Sequence, residues 1–305
     1  MASTVISRGL SRRSSPARRS GTRVRVRAAD RGRTAAAVAV LAVFGLLAVV
    51  GVGWRLAGGS WAVIETPSMG RAAPVGTLVL IRERPIGQVR VGDVITFRPP
   101  GNPSHLYTHR VVQVYPDGSV QVRGDINGSP DPLPITGPDL LGTVVVRLRG
   151  VGYLVRGLPA VVLAVVVLLV ATSRYLSVRW RSSARILGVC LIVAAAALIL
   201  RPFVHPILIA VSPEAQPDGH HLASLVSGGI FPTRVTGADG AYVDLRAGET
   251  GVVAVAVDRP GGPFVINGSP HLQDWWLLAV VLVSALPLVW CLVVGLSPEE
   301  PEPEQ

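Results

Sequence analysis

The stretch Tyr107-Thr108-His109-Arg110-Val111-Val112-Gln113-Val114-Tyr115-Pro116-Asp117-Gly118-Ser119-Val120-Gln121-Val122-Arg123 decides how the first half of this chain folds. Residues 111–115 and 120–123 are β-branched or alternating runs, and Pro116-Asp117-Gly118-Ser119 between them is a hairpin turn. Aspartate bonds its own backbone in such a turn, and glycine supplies the positive φ. Working outward, similar runs occupy residues 77–81, 93–97 and 142–148, separated by Gly, Pro, Asp and Asn clusters. No amphipathic helical period interrupts them, so residues 61–149 are expected to form an all-β domain within a segment spanning 54–150.

Composition places that domain beside a membrane. The chain has 305 residues, of which 49% are hydrophobic and 16% charged, against roughly 25% charged in soluble domains. A purely soluble enzyme is therefore disfavoured. All 29 basic residues are arginine, which excludes a lysine base, a Schiff base and a P-loop lysine. Four apolar stretches approach the ~20 residues a helix needs to cross a bilayer: 34–53, 151–173, 186–201 and 275–296. Residues 1–33 hold ten arginines and a single acid, Asp30, and read as a disordered cytoplasmic arm that meets anionic lipid. Residues 174–185 form a second basic loop (Arg174, Arg179, Arg181, Arg185) with no acid. The positive-inside rule puts both on the cytoplasmic side, with 54–150 and 202–274 outside and the acidic tail 297–305 inside.

Three polar clusters mark the first outer segment: Thr66-Pro67-Ser68-Met69, Thr108-His109-Arg110, and Gly124-Asp125-Ile126-Asn127-Gly128-Ser129-Pro130-Asp131. A serine, a histidine and an acid on separate β elements can assemble a nucleophile, a general base and its orienter. On residue types alone, ordinary serines and a polar surface histidine at a strand edge are the more usual explanation.

The strings Pro67-Ser68-Met69, Val91-Gly92-Asp93-Val94-Ile95-Thr96-Phe97, Thr108-His109-Arg110-Val111-Val112 and Gly124-Asp125-Ile126-Asn127, with Asp131 beyond, resemble the type I signal peptidases. The match is to the archaeal, endoplasmic-reticulum and sporulation-associated branch and covers about residues 60–149. The resemblance implies a signal-peptidase-like β-fold, with Ser68 as nucleophile and His109 as general base. It points to Asp131 as the acid orienting His109, with Asp125 a close competitor. It also matches Thr66 to a hydroxyl position that, with the Ser68 backbone N–H, forms an oxyanion hole; a turn-stabilising hydroxyl is the equal alternative. The usual bacterial branch uses a lysine base, for which this chain has no residue. His105 lies outside the matched string, and Gly70-Arg71-Ala72-Ala73 departs from the acid-proline-threonine run common after Ser-Met in this family.

The expected architecture is thus a membrane protein with an all-β extracytoplasmic catalytic domain, about four transmembrane helices and a second small β-rich outer segment. The latter, 202–274, has strand-like runs at 241–245 and 251–257 and resembles no known family. The expected activity is that of a serine endopeptidase removing signal peptides from exported preproteins. The expected partners are those signal peptides, anionic lipid and the secretion translocon. The alternative is a non-catalytic membrane-anchored β-domain protein that scaffolds secreted partners. No cofactor or metal is expected: Cys190 and Cys291 lie in apolar runs, and adjacent His220 and His221 point opposite ways on an extended chain. Nucleic-acid binding is disfavoured because the basic arm has no aromatic residue for stacking.

Overall fold

The computed structural model describes residues 49–200, 203–214, 217, 219–256, 266–272, 275 and 277–285, together with 42, 45 and 46. The basic arm, the acidic tail and Cys291 lie outside the described residues, as does much of the first and last apolar stretches. Of those two stretches, residues 42, 45, 46 and 49–53, and 275 and 277–285, are helical.

Residues 59–148 form one six-stranded antiparallel sheet. Its strands are β1 (Gly59–Val63), β2 (Leu78–Arg82), β3 (Val94–Phe97), β4 (Tyr107–Val114), β5 (Val120–Arg123) and β6 (Leu140–Leu148), in the spatial order β1-β2-β6-β3-β4-β5. Alternation along the strands sends two sets of side chains inward. Ile95, Phe97, Val111, Val120, Val122 and Ile135 fill one core cluster, and Ile64, Met69, Val79, Ile81 and Val94 fill the other. Strand β4 opens, as expected, with the polar string Tyr107-Thr108-His109-Arg110 ahead of its apolar run. The pairs Phe97↔Tyr107 and Ile95↔His109 continue the ladder through the polar string, so a buried neighbour rather than local propensity extends the strand.

Two helices follow, α1 (Val151–Tyr175) and α2 (Val178–Leu200), both long and apolar enough to cross a membrane. They form an antiparallel hairpin. Gly188 approaches Leu168, and Gly157 approaches Leu200, because small residues let the backbones come close. The expected basic loop 174–185 shrinks to Leu176 and Ser177, since arginine is a good helix former. Arg181 donates from Nε to the Leu176 carbonyl at 2.9 Å and from Nη2 to the Ser173 carbonyl at 3.0 Å. Cations there also suit the negative end of α1.

The second β-rich segment is more regular than its sequence pattern. Strands β7 (Pro206–Val211), β8 (His221–Ser227) and β11 (Thr250–Val255) make one sheet in the order β11-β8-β7. Strands β9 (Thr233–Thr236), β10 (Tyr242–Leu245) and β12 (Asn267–Pro270) make another in the order β10-β9-β12. Ala223, Leu225, Val235, Leu245, Val253 and Val255 are its buried centre. The two runs read from sequence are β10 and β11. The other strands carry weaker local signals: β8 lacks clean alternation, and β7 is a short apolar run that starts at a proline.

Candidate active site

Ser68 sits on a short 3-10 helix, Pro67–Ala72, entered from an extended Thr66 (φ −112°, ψ 152°). Pro67 in the first turn pre-sets φ for the helix. Met69 is fully buried among Ile64, Ala73, Val79 and Val94 and anchors the turn from beneath. The Ser68 carbonyl accepts the Ile126 N–H at 3.0 Å, tying the turn to the Gly124-Asp125-Ile126-Asn127 loop.

His109 is carried by β4 on the face it shares with Tyr107 and Val111. It is buried, and its ring meets Phe97 and Tyr107 edge-on, each at a centroid separation of 6.0 Å. Those contacts fix the ring plane. Its Nδ1 lies 2.7 Å from Asp131 Oδ2, and its Nε2 lies 3.1 Å from Ser68 Oγ. A carboxylate only accepts, so Nδ1 carries the proton toward Asp131 and Nε2 is left to accept the Ser68 O–H. Asp131 is itself held by its backbone: its N–H donates to the Val122 carbonyl at 2.9 Å, and its carbonyl accepts from Gln121 Nε2.

Asp125 lies elsewhere. Its carboxylate accepts two parallel bonds from Arg110, Nε to Oδ1 and Nη2 to Oδ2, both 2.8 Å, while Arg110 Nη1 reaches the Gly92 carbonyl at 2.9 Å. Hydrogen bonding to Asp125 holds the Arg110 guanidinium above its ordinary pKa. Asp125 thus braces the loop whose Ile126 holds Ser68, at one remove from the imidazole. The Thr66 hydroxyl is 3.3 Å from Ser68 Oγ. His105 bonds Asn102 and Ser104 on an exposed turn, and His221 Nδ1 donates to the Ser212 carbonyl at 2.9 Å.

Sequence reasoning missed the Phe97–Tyr107 clamp, the Gln121 support and the Arg110–Asp125 fork. Period-two alternation along β4 was the available signal for the first of these, since it puts Tyr107 beside His109 on one face. The Ser–His–Asp chain can move a proton from a serine hydroxyl to an imidazole and hold the resulting cation against a carboxylate, which is the chemistry of acyl transfer. No family model and no curated protein matches the chain.

Proposed function

We propose that this chain is a membrane-bound serine endopeptidase of the signal peptidase I type, removing N-terminal signal peptides from exported preproteins at the outer face of the membrane. The observation that carries the reading is the linked geometry of Ser68 Oγ to His109 Nε2 (3.1 Å) and His109 Nδ1 to Asp131 Oδ2 (2.7 Å). Ser68 attacks the scissile carbonyl as His109 Nε2 takes its proton. The imidazolium then protonates the leaving amine, and the same base activates water to release the acyl-enzyme. Asp131 holds the tautomer and the cation. Thr66 and the Ser68 N–H stabilise the oxyanion, a contribution of about 10²–10³ in rate.

The position of the nucleophile supports this substrate class. Arg149, two residues before α1, donates from Nη2 to the Arg71 carbonyl at 2.8 Å. Arg156 in the first turns of α1 pairs with Glu65 at 3.1 Å. Ser68 is therefore tethered at the mouth of an apolar helix, where a signal peptide would leave the bilayer. The cross-strand row Trp61, Leu80 and Val146 presents apolar side chains on the face opposite the core, suited to the lipid interface. Edge strand β1 leads into residues 64–67, where an extended substrate can pair and small side chains can enter at alternate positions. Four spans with residues 54–150 and 202–274 outside complete the proposed topology, and anionic lipid and the secretion translocon are its proposed partners.

The test is cleavage of a preprotein by the full chain in proteoliposomes. Ser68→Ala is expected to lower turnover by at least about 10⁴-fold while leaving the protein inserted. A Ser68→Ala protein that processes the preprotein like wild type would sink the proposal and leave the scaffold reading.

A further inference from the structure

A groove of about 370 Å³ opens on the short helix that carries Ser68, against the next residues along it, and two distant parts of the chain build it. Met69 and Arg71 of the nucleophile's helix and Ile126 form one side, and Gly248 and Glu249, from the turn before β11, form the other. Its size falls within the range of about 300–1,000 Å³ typical of ligand sites.

The second module is fixed against the catalytic domain. The Gly248 N–H donates to the Ser227 carbonyl at 2.7 Å, and the Ser227 N–H donates to the Glu249 carbonyl at 3.1 Å, so the turn is stapled to β8. Gly248 has φ +75°, and a Cβ there would lie 2.3 Å from the Gly70 carbonyl oxygen and 2.8 Å from the Arg71 nitrogen. Only a residue without a side chain lets this turn rest on the Gly70–Arg71 peptide. The buried Tyr153 hydroxyl donates to the Gly228 carbonyl at 2.9 Å, which ties the module to α1 as well.

Charge in the groove depends on few groups. Asp125 is neutralised by the fork from Arg110. Glu249 Oε2 accepts the Arg246 N–H at 3.0 Å, while its Oε1 is 3.8 Å from Arg71 Nη1, a loose pair with Arg71 largely exposed. The Arg149 guanidinium adds a second cation at the Arg71 carbonyl. Glu249 is thus the one carboxylate lining the groove, among the described residues, that is not forked to an arginine.

We propose that the second β-module completes the substrate cleft: residues 246–250 wall the subsite that takes a substrate side chain next to the scissile bond, and Glu249 against Arg71 sets the charge accepted there. This rests on the peptidase reading of Ser68. The subsite's occupant is an extended polypeptide segment, the form in which a peptidase substrate lies along a cleft.

The test compares wild type with Glu249→Lys on a panel of preprotein substrates carrying Asp, Ala or Arg at one position at a time on either side of the cleavage point. Labelling of Ser68 by a small fluorophosphonate reports an intact site. Glu249→Lys is expected to label normally and to shift the Asp-over-Arg ratio of kcat/KM about tenfold at one or two adjacent positions and nowhere else. Should the lysine variant fail to label, Glu249→Gln is expected to give about a threefold shift at the same positions. Ratios unchanged at every position, with wild type cleaving, overturn the subsite alone. A wild type that cleaves no member of the panel overturns the peptidase reading and the subsite with it.

Discussion

Asp125 and Asp131 lie six residues apart, and their partners assign them different work. Asp131 accepts from the buried imidazole, so replacing it by asparagine offers Nδ1 an N–H donor and favours the tautomer in which Nε2 carries the proton. Under the proposed chemistry, Asp131→Asn is expected to lower kcat by about 10⁴-fold with little change in KM. Asp125→Asn instead loses one side of a half-exposed fork. Its expected cost is about 0.5–1 kcal/mol of stability, with turnover reduced far less than by Asp131→Asn. Steady-state kinetics of the two variants, with thermal unfolding in the same detergent, read the difference. Equal losses of kcat would contradict the division of roles.

At the scale of elements, the turn before β2 and the start of α1 are seated on each other. The Gly152 N–H donates to the Gly76 carbonyl at 2.9 Å, and the Tyr153 ring lies against Gly76, where a Cβ would come within 2.0 Å of Cε2. Gly76 also has φ +79°, a region that L side chains adopt only under strain. Gly76→Ala therefore combines backbone strain with overpacking, and a loss of about 2–5 kcal/mol is expected. A drop in the thermal midpoint of the detergent-solubilised protein is the measurement. An unchanged midpoint would mean that the β-domain and α1 are not braced at this point. The same junction carries Tyr153 to Gly228, so one turn of helix connects the apolar hairpin to both β-structures.

For the molecule as a whole, α1 and α2 leave almost none of their apolar side chains buried within the protein, and a bilayer would cover them. The proposed topology predicts that, in a chain with Cys190 and Cys291 replaced by serine, a cysteine at Asp117 reacts with a membrane-impermeant maleimide in intact cells. A cysteine at Ser177 is expected to react only after permeabilisation. Labelling of position 177 from outside would invert the arrangement.

Much of this molecule was legible in its amino-acid order. Alternation and the Pro116-Asp117-Gly118-Ser119 turn mark strands β4 and β5, and long apolar runs mark the two helices, because a period of two residues and an uninterrupted apolar length are both local signals. The polar strings likewise singled out Ser68 and His109. Two things waited for the tertiary structure. The Val122 carbonyl and the Gln121 amide hold Asp131 so that its carboxylate, rather than that of Asp125, meets the imidazole, while Arg110 claims the other acid. Gly248 comes to rest on Gly70 although 178 positions separate them, and no local period encodes such a meeting. Local sequence sets which groups exist and which way they face along an element. The choice between rival partners is made by packing, through contacts that arise only once distant elements share one core.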